Sequence, residues 1–406
     1  IAPVNITLDK LYFPFKGAPA ATAKLEAALS LAIASMALTT SDGKNVTLGA
    51  TTIQVKSRPP GPTGTPIDFN LAVTQIAVGD GSPASDMTLA GTIDNIISPA
   101  GVVDPARAVV NTRADLPKIP TALIDAFTTK DGTVIDALGP LASLKLNVER
   151  YPLNGQPASD SQPPVIDIVA NSDRASATLR GTVRDGLFIS EAPLSARVTR
   201  VTPELSARFI KALPILGTFE KTAEDAPALL EIVNITAPLG SDPAKLNADI
   251  TFDPGEARYG TSAGFGELLK IINSRTDGQV GKKLEPLTMQ VRSGVATYKR
   301  WRVPLGEFIV ETEGTVNLVS RTVDVITYVP VGAVSDRVSG SLGGAGGLGK
   351  ILPGVVDAAS TIPFRTTGPM DNPVTRVDPE LLARNAVKAI DPVSYTHLTL
   401  PTNREV

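Results

Sequence analysis

The feature that most constrains this chain is a period of two. Residues 284–330 read LEPLTMQVRSGVATYKRWRVPLGEFIVETEGTVNLVSRTVDVITYVP, short runs in which apolar and polar residues alternate. Leu287, Met289 and Val291 share one parity, as do Phe308 and Val310, Val316 and Leu318, and Val323 and Val325. Successive side chains of a β-strand point to opposite faces, so each set falls on one face of its strand. Ser293-Gly294, Pro304-Leu305-Gly306, Gly314 and Ser320-Arg321 interrupt the runs. The spacing predicts a meander of four or five antiparallel strands.

Composition supports a sheet and removes several kinds of chemistry. Of 406 residues only 4% are aromatic and 19% charged, while Gly and Pro number 34 each. That is the usage of a sheet-rich protein with many turns. A net charge of −3 argues against nucleic-acid binding, which goes with a basic patch. There are no cysteines, hence no disulfide or thiolate chemistry, which suits an oxidising compartment such as the periplasm. The single histidine, His397, lies in VSYTHLTLPT (393–402), which resembles the translated read-through of a transposase adapter; the natural sequence is expected to be represented to about Pro392. A Ser-His-Asp or His-metal site would rest on that segment. No acidic pair has metal spacing, so no enzyme, metal or cofactor is expected.

Further strands are expected upstream. Asn5–Leu11 alternates. Leu25, Ala27, Leu29, Leu31 and Ile33 fall at odd positions, which favours strand although Ala and Leu also suit a helix. Asp42-Gly43 is a hairpin signal, and Val46–Val55 returns from it. Residues 58–66, RPPGPTGTP, and 151–164 are Pro-rich loops. Helical spacing runs from Pro120 to Leu138 with a break at Asp131-Gly132, and further helical pieces are expected at Ala226–Ile232 and Gly264–Ile272. Thr202-Pro203-Glu204 reads as a capped helix start, with Leu205, Phe209 and Leu213 on one face. Asp378-Pro379-Glu380 starts another that runs to about Ala389.

One pattern recurs. TLAGTI begins at Thr88 and TLRGTV at Thr178, 90 residues apart (178 − 88), each followed by a strand and then a helix; EGTV at 313–316 is a looser echo. Such self-similarity suggests stacked units sharing one sheet. The expected division is residues 1–150, a β-rich unit with a helix near 120–138; 151–283, a similar unit; 284–392, a β-meander with a final helix; and 393–406, an artefactual tail. The expected fold is mainly β: an elongated, curved antiparallel sheet of repeated strand units with a few short packing helices.

Two other motifs carry weaker chemistry. Gly344-Ala345-Gly346-Gly347-Leu348-Gly349 with Lys350 approaches a phosphate-binding loop, but Ile351 stands where a Mg-binding Ser/Thr belongs and Pro353 follows, so a Gly-rich loop is the better reading. Lys299-Arg300-Trp301-Arg302 reads as a solvated turn with Trp301 packing inward.

Asp185-Gly186 and Ser293-Gly294 before short strands, EGTVNL at 313–318, RTVDVITYVP at 321–330 and above all IPFRTTGPMDNPVTRVDPELLAR at 362–384 resemble the C-terminal region of AsmA-like bacterial envelope proteins, related in architecture to TamB. The likeness covers about 170–390. It implies a long curved sheet with an apolar concave face, tethered to a Gram-negative inner membrane through an anchor outside these residues and reaching into the periplasm. It implies a role in outer-membrane homeostasis, with phospholipid or another acyl lipid held or carried along the groove. The residues expected to line that groove are Leu287, Met289, Val291, Val303, Phe308, Val310, Val316, Leu318, Val323 and Val325. Two readings of this apolar face stand side by side, an open trough for lipid and a core covered by the chain's own helices. A scaffold that recruits envelope proteins at a sheet edge is the alternative function.

Overall fold

A computed structural model describes residues 4–12, 26–39, 45–78, 86–98, 102–127, 132–154, 162–202, 205–206, 216–221, 227–240, 242–261, 279–305, 308–330 and 361–385. The Asp42-Gly43 turn, the Gly344–Gly349 loop, the 264–272 helix, most of 203–213 and the tail with His397 lie outside them. The fold is mainly β and antiparallel, with nineteen strands in one large sheet and three in each of two small ones. The chain divides into two compact units, residues 1–201 with 227–250 and residues 202–226 with 251–406.

In chain order the strands are β1 (Val4–Tyr12), β2 (Glu26–Ile33), β3 (Met36–Thr39), β4 (Asn45–Leu48), β5 (Thr51–Ser57), β6 (Thr65–Val73), β7 (Ile76–Val78), β8 (Met87–Ile97), β9 (Val109–Pro120), β10 (Leu141–Pro152), β11 (Val165–Ser172), β12 (Ala175–Arg184), β13 (Leu187–Ser190) and β14 (Leu194–Val198). Then come β15 (Leu216–Glu220), β16 (Ala228–Pro238), β17 (Asn247–Asp253), β18 (Glu256–Thr261), β19 (Gln279–Lys283), β20 (Leu287–Arg292), β21 (Val295–Leu305), β22 (Phe308–Asn317), β23 (Thr322–Pro330), β24 (Thr361–Pro369) and β25 (Val374–Val377). In the first unit β1, β2, β5, β6, β8, β9, β10, β11 and β12 pair in that spatial order. In the second, β20 to β25 pair in chain order. Residues 284–330 are thus a four-stranded stretch of a meander, and position 150 falls inside β10.

Local chemistry explains the joints. Asp185-Gly186 and Ser293-Gly294 both have positive φ at two successive positions, 51° and 70°, 50° and 74°, and close two-residue hairpins. Such turns match the twist of paired strands and favour Asp-Gly-type pairs. The helical stretch after Pro120 breaks at Gly132, as its composition foretells, into α1 (Thr121–Phe127) and α2 (Thr133–Leu138). Asp378 caps the helical residues 379–385, accepting from Leu381 N at 3.0 Å. Thr202 caps similarly, its hydroxyl accepting from Leu205 N at 3.3 Å.

Three local expectations are corrected. Of the helix expected at Ala226–Ile232, residues 228–232 lie in strand β16: pairing Leu194 with Ile232 and Ala196 with Leu230 outweighs the helix preference of Leu and Glu. Val46–Val55 splits at Gly49-Ala50, sending β4 to a small sheet with β3 and β7 and β5 to the large one. Lys299–Arg302 is not a turn but a bulge inside β21. Arg300, at φ 49°, is the extra residue, and it turns Trp301 inward, where the indole donates to Glu285 O at 2.9 Å.

The repeated TLxGT segments share a packing reason for their glycine. A Cβ at Gly91 would lie 2.2 Å from Asn111 O and 2.6 Å from the Phe69 ring, and one at Gly181 2.3 Å from Ile189 O and 2.5 Å from the Phe188 ring. In both, an aromatic ring from the neighbouring strand lies over the bare backbone. Gly91→Ala and Gly181→Ala should each lower stability by about 1–3 kcal/mol, the cost of overpacking. Urea titration of both variants measures it, and unchanged midpoints would refute the aromatic-over-glycine account.

Candidate functional site

The sheet of the first unit is sorted by face. Opposed residues on neighbouring strands share a face, so the register can be followed rung by rung. Ile6 stands opposite Leu31, Leu31 opposite Ile53, Ile53 opposite Leu71, and Leu71 opposite Leu89. The row continues through Ala114, Leu146, Ile168 and Leu179. Nine strands therefore carry one unbroken apolar row. At about 4.8 Å per strand it extends roughly 38 Å.

The opposite face reads in the other parity. Thr7, Ser30, Gln54, Asn70, Ala90, Arg113, Asn147, Asp167 and Arg180 form the corresponding row. Its polar groups bond to one another. Arg58 pairs with Asp68 at 2.7 Å, Asn111 donates to Asp94 at 2.8 Å, and Arg113 donates to Asn147, whose amide donates to Glu149 at 3.0 Å. This is a solvated face.

Water also reaches the apolar row. Ile6 is 70% exposed; Leu31, Ile53, Leu71, Leu89, Leu146, Ile168 and Leu179 are half-buried; and only Ala114 is buried. Two elements rest on part of this side. The small sheet β3–β4–β7 packs Val46, Leu48 and Ile76 with Val73, joined by Leu71 and Met87. Helix α1 lays Leu123 and Ile124 on Ala114, Leu116 and Ile119, a cluster that Leu89, Leu144 and Leu146 also join. The outer rungs Ile6, Leu31, Ile53, Ile168 and Leu179 belong to neither cluster.

The residues expected to line a groove in 284–330 are differently placed. The register does bring them together: Val303 opposes Val310, Val316 opposes Val323, and Val291 and Val316 both oppose Ala296. Yet Leu287, Val291, Val303, Val310, Val316, Val323 and Val325 are each at most 3% exposed. Met289 is half-buried opposite Tyr298, and Leu318 sits in the turn after β22, its amide donating to Gly294 O at 2.9 Å. The side chain of Phe308 lies outside the described residues. Described groups that meet this panel include Tyr259 of the small sheet β15–β18–β19, whose hydroxyl donates to Pro304 O. As it stands, the face is a closed core.

The electrostatics of the second unit agree with that closure. Burial pushes the phenols of Tyr259 and Tyr298 up to about 12, and burial with the Glu313 carboxylate does the same for Tyr328. Lys221 is buried with its ammonium on Pro254 O at 2.9 Å and Glu256 O at 2.7 Å, and burial lowers its pKa. Arg365 grips Asp324 through two bonds of 2.8 and 2.7 Å, which holds that carboxyl below the usual range. Among the described residues no group of three or more His, Cys, Asp or Glu side chains is placed to hold a metal ion.

The half-buried row was the part sequence reasoning missed. Its signal was present as odd-position parity in β2, β5 and β6, but which rungs meet depends on register. Comparison with known proteins finds no matching family model, curated protein or solved structure. The functional reading therefore rests on the two faces themselves.

Two predictions follow from the contrast between them. Val310→Asp places a carboxylate where the chain is 2% exposed and should cost roughly 3–5 kcal/mol or unfold the protein, whereas Ile53→Asp on the half-buried row should cost far less. Thermal melts of the two variants decide it; equal losses would contradict the assignment of open and closed faces. The tyrosines make the second test. A phenol whose folded pKa lies near 12, above about 10 when unfolded, contributes stability that is complete below pH 10 and lost as pH rises through 12. Ultraviolet titration should show three of the six tyrosines ionising late, and a single common transition near pH 10 in folded protein would rule this out.

Proposed function

We propose that this chain is a non-enzymatic lipid-holding protein of the bacterial envelope and that the apolar row of the first unit carries the acyl chains. The observation that supports this is the nine-strand row itself, apolar at every rung and half-buried at seven of the nine. An acyl chain gains about 0.8 kcal/mol for each methylene removed from water, on the order of 10 kcal/mol for a chain of ordinary length. A sheet with one apolar side supplies that shelter without any catalytic group. Among the described residues no helix is long and apolar enough to cross a membrane.

The likeness of residues 313–330 and 362–384 to AsmA-like proteins supports placing it in the periplasm, tethered to a Gram-negative inner membrane, with phospholipid as ligand and outer-membrane homeostasis as the role. The lipid-holding face shifts under this proposal from 284–330 to the first unit, because a side chain already packed to 0–3% exposure has no room for a ligand.

Extraction of the protein purified from a Gram-negative host should release phospholipid in near-stoichiometric amount. Ile53→Asp and Ile168→Asp, one on each side of α1, should each lower the retained lipid several-fold while the fold persists. Folded wild-type protein free of lipid would end the proposal, and undiminished lipid in both variants would remove this row from it.

A further inference from the structure

The middle of the apolar row is not free along its length. Its rungs at Leu89, Ala114 and Leu146 lie in the cluster that α1 covers with Leu123 and Ile124. Rungs at Ile6, Leu31 and Ile53 lie to one side of that helix in strand order, and those at Ile168 and Leu179 to the other. Anything that occupies the rungs at Leu89, Ala114 and Leu146 must displace α1, and the Leu71 rung beside them lies under the small sheet.

The fastening of α1 is polar and local. Asp125, on the helix and 5% exposed, accepts from Gly132 N at 2.9 Å and Val134 N at 3.0 Å, the amides that open α2. The hydroxyl of Thr121 donates to Gly139 O just beyond α2, closing the pair at its base. Arg174, in the β11–β12 turn, donates to the carbonyls of Asp136 at 3.1 Å and Ile135 at 3.5 Å near the end of α2. The two helices are six and seven residues long, too short to stand alone in water. Among the described residues, α1 meets the sheet cluster through Leu123 and Ile124, Leu123 also meets the cluster of the small sheet, and the bonds above tie α1 to α2.

We infer that α1 is a gate across the apolar face, latched to α2 by Asp125 and opened when an acyl chain takes the place of Leu123 and Ile124. The inference rests on the lipid-holding reading above. Exchange of one apolar contact for another is nearly neutral for the sheet, so the latch sets how readily the middle rungs are reached. Loosening it admits lipid.

The test uses the full chain and a phospholipid with a fluorescent acyl chain, supplied in vesicles of phosphatidylethanolamine and phosphatidylglycerol. Asp125→Ala and the closer-shaped Asp125→Asn should take up the probe several-fold faster than wild type. In wild-type protein, loading should raise amide hydrogen exchange in 121–127 while β9 and β10 stay protected, a readout that needs no variant to fold. Loading of wild type with unchanged exchange in 121–127, or latch variants that load at the wild-type rate, would overturn the gate and leave the lipid reading standing. Failure of wild type and both variants to take up any probe would overturn the lipid reading and the gate together.

Discussion

Everything in this molecule depends on cross-strand register. Side chains on a strand alternate between faces, so a slip of one residue would send every apolar group of that strand to the opposite side. Along the row from Ile6 to Leu179 the register holds over nine strands of the first unit: each leucine, isoleucine or alanine of the row meets another apolar residue, and the polar row stays intact behind it. Irregularities are absorbed locally. Arg150 and Arg300 adopt left-handed conformations at bulges, each adding one residue to its own strand. The second bulge does more than repair register, because it lets Tyr298 and Trp301 both face inward.

An alternating sheet must hide its apolar face or find something to lay on it. The two units meet this demand differently. In the second unit Val291, Val303, Val310, Val316, Val323 and Val325 and the aromatic residues Tyr298 and Trp301 are packed to near-zero exposure, with Tyr298 bonded to Thr312 and Lys221 to two carbonyls. That is the energetics of a core. In the first unit, among the described residues, a short helix and a three-stranded sheet cover part of a longer row, and the remaining rungs are half-buried or, at Ile6, exposed. A surface of that kind is where binding energy is available, since the apolar area has not yet been removed from water.

Much of the architecture was legible in the residues. The alternation of 284–330, the break at Gly132 between two helices, the Asp-Gly and Ser-Gly hairpins and the cap at Asp378 all appear where local chemistry places them, because each is decided within a few residues of chain. The helix expected at Ala226–Ile232 gives way for the complementary reason: its leucines suit a helix, and only the neighbouring strands β13 and β14 make residues 228–232 part of β16. The TLxGT echo was visible as a repeat, but its glycines could not be explained until the rings of Phe69 and Phe188 were seen above them.

By itself the sequence determined the strands, their turns and the parity of each apolar set, since period and turn chemistry are local properties. Only the tertiary structure decided which parity faces what. The residues of 284–330 and those of the first unit carry the same pattern, and no feature of either run says that Val303 will be sealed and Ile53 left half-buried. That difference arises from which segments fold back onto each face, a matter of contacts between residues far apart in the chain, and it is what moves the candidate site from the most regular stretch of the sequence to the longest row of the sheet.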